Sequence, residues 1–230
     1  MLILTLCVHL NGFTHKEVRI SLKRRWIEMK LFQYVSEWIL RLVWTNLLWI
    51  AFTLFGLVIA GFFPATIAMF TVTRKWAKKE LDFSIWQLFK DTYKKEWVNS
   101  NKMGLIFVCI AAFLFIDLRI SFYMKGFFSI FLYVFILFLL AILLLTLIYF
   151  FPLYVQYTFS AKAYLKQAFI HAFAGFKDTF VILVGLVCIG YFIYKLPGLI
   201  PFMSAVLPSY WVMTVCMKRF RRLEKQILEA

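Results

Sequence analysis

The chain has 230 residues, of which 63% are hydrophobic and 16% charged, and it carries a formal net charge of +15. Soluble domains are roughly 45–50% apolar and about 25% charged, so this composition excludes an ordinary soluble globule and predicts a protein embedded in a lipid bilayer. The basic residues are grouped between apolar runs, which is typical of loops held against an anionic membrane surface. This grouping argues against nucleic-acid binding, which needs a solvated basic face.

The first 28 residues differ from the rest of the chain. A short apolar run, residues 1–10, precedes a polar stretch, which is the reverse of the order in a signal peptide. Arg24-Arg25-Trp26 can be encoded by AGG-AGG-TGG, a strong bacterial ribosome-binding sequence, and Met29 follows at the spacing of a start codon. We therefore expect translation to begin at Met29, with residues 1–28 as upstream translated sequence or a disordered extension.

Residues 38–63 form the first predicted span, since a bilayer core of about 30 Å needs about 20 helical residues. Glu37 and Arg41 lie four residues apart at its start, so they share one helix face and can pair at the membrane boundary. Asn46 lies inside the span and is a candidate for a hydrogen bond between helices.

The first span is expected to end at Gly61-Phe62-Phe63-Pro64, because proline suits the first turn of a new helix. The helix that follows, residues 64–76, is apolar enough to enter the membrane but too short to cross about 30 Å at about 1.5 Å per residue. A hairpin turning at residues 61–64 is favoured over a single span. The choice between five and six spans, and the side on which the N-terminus lies, stay open.

Residues 74–102 form the main polar loop, and residues 84–98 within it have the pattern of an amphipathic helix. Ser84 and Gln87 form a capping box, and aromatic residues recur at helical spacing with lysines on the other faces. We predict a surface for lipid or a protein partner made of Trp86, Phe89, Lys90, Tyr93, Lys94, Lys95 and Trp97. A helix packed against the protein's own cytoplasmic side would give the same pattern.

Four further spans are predicted at residues 103–123, 127–151, 173–194 and 199–217. The predicted fold is therefore an all-α, polytopic transmembrane helix bundle, a single domain over residues 29–230. It has five long spans, one short helix after Pro64 and a cytoplasmic amphipathic helix. The excess of basic residues in loop 74–102 and in the C-terminal tail predicts that both are cytoplasmic, with four spans between them.

The sequence carries no catalytic or nucleotide-binding motif, since HExxH, GxSxG and P-loop patterns are all absent. After Met29 the chain has one histidine, His171, and nothing in the sequence pairs it with a nucleophile. The four cysteines lack the spacing of metal ligands. We therefore expect no enzymatic activity, no cofactor and no metal.

From Met29 onward the sequence resembles the YesL-like family of bacterial membrane proteins, a family of unknown function. The resemblance rests on the motifs Trp38, Arg41-Leu42, Asn46-x-Leu48-Trp49, Pro64-Ala65-Thr66 and Thr73-Arg74-Lys75-Trp76. Family members usually have glycine directly before the Pro-Ala pair, where this chain has Phe63. The candidate structural or topology residues are therefore Glu37, Arg41, Asn46, Trp49, Pro64, Thr66 and Arg74.

The resemblance implies a multi-pass plasma-membrane protein of Gram-positive bacteria. Family members are often encoded beside carbohydrate-uptake transporters and glycan-degrading enzymes, which suggests carbohydrate transporter components as partners in addition to the lipid bilayer. The first hypothesis is a non-enzymatic accessory of carbohydrate uptake or of its regulation. The alternatives are a membrane enzyme and a permease-type subunit that forms a solute path, although residues 161–175 match the ATPase-docking motif of ABC permeases poorly.

Overall fold

The computed structural model describes residues 15–123 and 126–229, and it describes side chains from residue 23 onward with the exception of residue 227. Eight α-helices lie in these ranges, and a 3₁₀ turn, Pro197–Leu199, comes between the sixth and the seventh. The helices are α1 (His15–Phe55), α2 (Ile59–Ala77), α3 (Ile85–Tyr123), α4 (Phe127–Gln156), α5 (Ala161–Ala174), α6 (Phe176–Lys195), α7 (Ile200–Met203) and α8 (Val206–Leu228).

The fold is all-helical, because the described residues form helices and no strand. Four helices are long and apolar enough to cross a membrane, namely the Lys23–Phe55 part of α1, and α3, α4 and α6. A fifth crossing results if Pro197–Met203 and Val206–Gln226 count as one span, bent by 60°. The prediction of a polytopic transmembrane helix bundle is confirmed.

Two compact units make up the chain, Met1–Val43 and Trp44–Ala230, and the division falls inside α1. The predicted boundary at residue 29 lies within the first unit, where α1 runs on without a break. Residues 1–14 of the predicted extension lie outside the described residues, so translation from Met29 stays a prediction. In the first unit, the Arg41 guanidinium contacts the Glu37 carboxylate at 2.6 Å, one helical turn apart.

Helix α2 is the most enclosed helix of the second unit. Twelve of its 19 residues are buried, and Ala65, Ala68 and Val72 have no exposed surface. It packs against α3, α4 and α8. It is not among the four helices that are long and apolar enough to cross a membrane, and its last turn carries Arg74 and Lys75.

The turn that separates α1 from α2 lies earlier than predicted. The chain reverses at residues 56–58, where Leu57 and Val58 have positive φ angles of 57° and 64°. A Cβ on Gly56 or on Gly61 would overlap the backbone of the other residue or of α1, so both glycines permit a close approach of the two helices. The prediction of a break at residues 61–64 is therefore wrong, because Gly61 serves packing and not a turn.

Pro64 lies inside α2 and not in its first turn. A proline within a helix leaves the carbonyl four residues earlier without its usual donor. Here that carbonyl belongs to Ala60, and the Asn101 side chain of α3 donates a hydrogen bond to it at 2.9 Å. The helix continues through Pro64 because α3 supplies the missing donor.

Helix α3 joins two segments that the sequence separated. The predicted amphipathic helix, residues 84–98, and the predicted span, residues 103–123, form one continuous helix of 39 residues. At about 1.5 Å per residue it is about 58 Å long, roughly twice the thickness of a hydrocarbon core. Its first half is therefore continuous with the span, and Phe89 and Tyr93 on it pack against Phe52 of α1.

The remaining helices follow the predicted order with shifted ends. Helix α4 continues past the predicted end at residue 151 and includes Pro152. The predicted polar linker after it contains a separate helix, α5, and Gly175 separates α5 from α6. The predicted last span, residues 199–217, is divided into the turn at Pro197–Leu199, α7 and α8, because the chain bends at residues 204–205.

Candidate functional site

Asn46 joins α1 to the bend between α7 and α8. Its side chain is fully buried, and its amide nitrogen donates to the Pro201 carbonyl at 2.8 Å. Its amide oxygen accepts from the backbone N–H groups of Ala205 and Val206 at 3.0 and 3.1 Å. It therefore caps the start of α8 from another helix, an interhelical role of the kind predicted for it.

Trp49 and Thr66 connect α1 to α2 across the hairpin. The indole N–H of Trp49 donates to the Thr66 hydroxyl at 3.1 Å, and that hydroxyl donates to the Phe62 carbonyl at 2.6 Å. The Trp49 ring also contacts the Phe62 ring edge to face. These contacts place both residues in the packing of the hairpin.

A cavity of about 680 Å³ opens at one end of the second unit. It lies between the C-terminal turns of α2, the middle of α3, the C-terminal end of α4 with the loop after it, and the first turn of α5. We call it the basic-end cavity, because three cationic side chains, Arg74, Lys95 and Lys102, line it beside one carboxylate, Glu96. Its volume is within the range of small-molecule sites, about 300–1,000 Å³.

A polar stripe along α3 forms one wall of the basic-end cavity. Residues three or four apart share a helix face, and the stripe consists of Thr92, Lys95, Glu96, Asn99 and Lys102. The neighbouring face of α3 is buried at Phe89, Tyr93, Ser100, Gly104 and Phe107. Helix α3 is therefore amphipathic, and its polar face lines a cavity that the sequence did not predict.

Arg74 crosses from α2 to the end of α4. One terminal nitrogen of its guanidinium donates to the Val155 carbonyl. Its Nε is buried and finds no hydrogen-bond partner among the described residues, and the same holds for the side-chain oxygen of Gln156 on the same wall. Arg74 therefore links α2 to the end of α4 beside the cavity, and its Nε is enclosed by protein atoms.

The acidic and aromatic side chains of the basic-end cavity contact each other. The Tyr154 hydroxyl donates to the Glu96 carboxylate at 2.6 Å, and the Tyr154 and Tyr164 rings stack with centroids 4.9 Å apart. The Tyr164 hydroxyl donates to the Tyr157 carbonyl at 2.7 Å. Glu96, the one carboxylate among the described residues of the lining, thus already accepts a hydrogen bond. Lys95 and Lys102, in contrast, are exposed at the mouth.

The structure divides the predicted lipid or partner surface into three parts. Phe89 and Tyr93 are buried, with their rings 5.3 and 4.8 Å from that of Phe52, so they cannot meet lipid or a partner. This part of the prediction is corrected, because the aromatic stripe packs on α1. Trp97 is half-buried, with its ring against that of Tyr93. Lys95 lines the cavity. The remaining residues, Trp86, Lys90 and Lys94, form an exposed surface.

The structure contains a buried polar network around Arg219, which the sequence did not predict. Arg219 is 5% exposed, donates to the His171 carbonyl at 2.6 Å and lies 3.9 Å from the Asp178 carboxylate, which also pairs with Arg222 at 2.6 Å. A Cβ on Gly175 would overlap the Arg219 guanidinium. The network joins α5, α6 and α8. The sequence did not predict it, because a run of basic residues like the one around Arg219 is typical of a solvated tail.

His171 belongs to this network through its backbone and not through its ring. Its imidazole lies between the rings of Tyr149 and Phe220. Burial, and then the charge of Arg219, lower the pKa of His171 to about 4, so the ring is neutral at pH 7. The His171 ring therefore serves packing. The described residues contain no group of three His, Cys, Asp or Glu side chains placed to hold a metal ion.

Comparison with known proteins gives a consistent set of relatives. The family described as "Protein of unknown function, DUF624" matches residues 42–118. The chain is 34% identical over 190 residues to the uncharacterized protein YesV of Bacillus subtilis (strain 168), covering 83% of this chain and 91% of that protein. It is 35% identical over 193 residues to the uncharacterized protein YesL of the same organism, covering 84% of this chain and 91% of YesL.

A third relative from Bacillus subtilis (strain 168), the uncharacterized protein YteU, is 32% identical over 180 residues, covering 78% of this chain and 80% of YteU. No solved structure gives a significant match. The similarity therefore extends over most of the length of three proteins whose names state no activity, and the sites described above have to be interpreted from their own geometry.

Proposed function

The chain belongs to the DUF624 family of proteins of unknown function, and on this premise we propose that it is a non-enzymatic membrane accessory of carbohydrate uptake or of its regulation. The sugar-transport context comes from the family resemblance. The non-enzymatic part is supported by the buried Arg219 network, whose polar side chains join three helices.

We propose further that the basic end faces the cytoplasm of a bacterial plasma membrane. Arg74, Lys95 and Lys102 surround the cavity at this end, and the C-terminal part of α8 contacts the same region through the hydrogen bond between Tyr157 and Glu224. Basic residues concentrate in the cytoplasmic loops of membrane proteins. The loop between α2 and α3 and the C-terminal tail would then both be cytoplasmic.

The observation that carries the accessory function is the exposed basic start of α3. Lys90 and Lys94 are exposed on a helix that continues without a break into a candidate span. Lys90 lies twelve residues before Lys102, which corresponds to about 18 Å along the helix axis. A rigid basic extension of this length is suited to contact an acidic surface on the cytoplasmic part of a transporter.

This proposal is tested by replacing Lys90 and Lys94 together with Glu in the full chain, expressed in its own cells. A photo-crosslinking residue at position 86 should capture a membrane or ATPase component of a carbohydrate importer, and the double substitution should reduce the yield about tenfold, since it reverses both charges of the contact. The matched control is Lys162→Glu with Lys166→Glu, two exposed lysines of α5. Capture of no importer component by the unsubstituted chain, or equal loss in the control, would contradict the proposal.

A permease-type subunit is the second candidate, and the basic-end cavity is the observation that favours it. A solute path needs a polar space between helices, and the cavity reaches Ile67 and Met103, where the apolar part of α3 begins. Uptake of a labelled sugar into vesicles that contain only the purified chain would favour this candidate over the accessory function.

A further inference from the structure

We propose that the basic-end cavity binds a phosphate-bearing anion, held by Lys95, Lys102 and Arg74. The ligand class is a phosphate ester, either the headgroup of an anionic lipid or a soluble phosphorylated compound. This inference does not depend on the accessory function, because binding is measured on the purified chain without a partner.

The charge of the lining selects an anion. Lys95 and Lys102 lie seven residues apart on α3, two helical turns along the same face, and Arg74 reaches the cavity from α2. The carboxylate of Glu96 accepts the Tyr154 hydroxyl at 2.6 Å and thereby has a partner inside the protein. An anion entering the cavity meets three cations, and hydrogen bonds from ionised donors to phosphate are among the strongest in proteins.

Donor groups around the cavity suit the oxygens of a phosphate group. Lys95 and Lys102 are exposed at its mouth, and Arg74 lines it from α2. Ammonium and guanidinium groups both donate hydrogen bonds to phosphate oxygens. Helix α5, 14 residues long, begins at the cavity with Ala161 and has no acidic residue in its first turn. Free N–H groups at a helix start add donors and a partial positive charge.

The size and position of the cavity indicate a ligand larger than an inorganic ion. A volume of about 680 Å³ accommodates a phosphate together with an attached group such as glycerol or a sugar ring. Lys102 and Met103 mark the point on α3 where polar residues give way to the apolar span. The cavity therefore lies at the depth where lipid phosphates lie and is also open to soluble phosphate esters.

The test uses the full chain purified in a non-ionic detergent, with two probes. Inorganic phosphate is titrated calorimetrically at constant ionic strength against chloride, and phosphatidylglycerol is compared with phosphatidylcholine by native mass spectrometry. We expect at least one probe to bind saturably. Lys95→Gln with Lys102→Gln should weaken that binding at least about tenfold, whereas Lys95→Arg with Lys102→Arg should retain it.

The control is Lys162→Gln with Lys166→Gln, which removes two exposed charges from α5 outside the cavity lining. It should change binding less than about twofold, because surface charges act only weakly on a neighbouring site. Binding of inorganic phosphate identifies a soluble ester as the ligand, and binding of phosphatidylglycerol alone identifies a lipid headgroup. If neither probe saturates, or if the control loses as much affinity as the cavity variant, the proposal is wrong.

Chemical footprinting of the unsubstituted chain covers the case in which the glutamine variant does not fold. Amine acetylation of Lys95 and Lys102 is measured with and without the binding probe, with Lys166 as the internal reference. A bound phosphate should slow acetylation of Lys95 and Lys102 at least about threefold relative to Lys166, since a paired ammonium is less accessible. Equal rates at all three lysines would overturn the proposal.

Discussion

Single glycines at helix contacts decide where the large side chains of this bundle fit. A Cβ on Gly104 would overlap the Phe63 ring, one on Gly185 would overlap the Trp211 indole, and one on Gly175 would overlap the Arg219 guanidinium. Small residues let helices in a membrane approach closely. In each of these pairs the glycine leaves the space that a bulky partner from another helix occupies.

The Phe63–Gly104 pair tests this most directly, because a Cβ on Gly104 would lie far inside contact distance of the Phe63 ring. We expect Gly104→Ala to destabilise the protein by about 1–3 kcal/mol through overpacking, and Phe63→Gly to destabilise it by leaving a void. The two changes together should cost less than the sum of the two single changes, because the void accepts the new methyl group. Thermal unfolding in detergent micelles measures all three variants.

Gly190→Ala is the matched control for this cycle, since a Cβ at Gly190 meets nothing within 4 Å in the described part of the structure. Alanine is the better helix former by about 1 kcal/mol, so this change should leave the unfolding temperature equal or higher. Strictly additive costs in the double variant would show that Phe63 and Gly104 do not share one space.

At the scale of helices, two irregular points in the backbone are each completed by a side chain from another helix. The Asn101 amide donates to the Ala60 carbonyl, which Pro64 leaves without its usual donor inside the unbroken α2. Asn46 caps α8 after the bend at residues 204–205. In a bilayer, backbone groups need a partner inside the protein. These two points therefore depend on contacts between elements distant in sequence.

Asn46 provides the sharpest test at this scale. Asn46→Ala removes one donor and one acceptor, and the Pro201 carbonyl and the N–H groups of Ala205 and Val206 lose this partner. We expect a loss of about 1–3 kcal/mol in the free energy of unfolding. Unfolding in mixed detergent micelles measures it, and the exposed Asn99→Ala, within about 0.5 kcal/mol of the unsubstituted protein, is the comparison. A neutral Asn46→Ala would refute the capping role.

The sequence was sufficient to predict the order and approximate extent of the helices, because apolar segments long enough to cross a bilayer are visible without any partner. It was not sufficient for the end of α1, since Pro64 marks a helix start only when no other helix supplies the missing donor. The aromatic stripe at Phe89 and Tyr93 likewise predicted an amphipathic helix without showing that Phe52 covers it.

The basic-end cavity shows the same limit. The stripe on α3 that includes Lys95, Asn99 and Lys102 has visible helical spacing in the sequence. The other walls come from α2, from the end of α4 and from α5, and nothing local in those segments places them opposite the stripe. Arg74 was a candidate only as a family motif residue, and its Val155 contact shows why a basic side chain at that position serves the structure.

On the scale of the whole molecule, the second unit is a helix bundle with two different ends. One end carries the cavity with Arg74, Lys95 and Lys102. The far end of α6 carries Lys195, and this helix of 20 residues is about 30 Å long, the thickness of a hydrocarbon core. The accessory and permease proposals both require that these ends lie on opposite sides of a membrane.

The most direct measurement is labelling of single cysteines with a membrane-impermeant maleimide in intact cells, in a chain whose own cysteines are replaced by serine. Lys90→Cys at the start of α3 and Lys166→Cys on α5 should react only after the cells are permeabilised. Lys195→Cys at the end of α6 should react in intact cells. If Lys90→Cys and Lys195→Cys react alike before permeabilisation, the two ends share one side of the membrane and the account is contradicted.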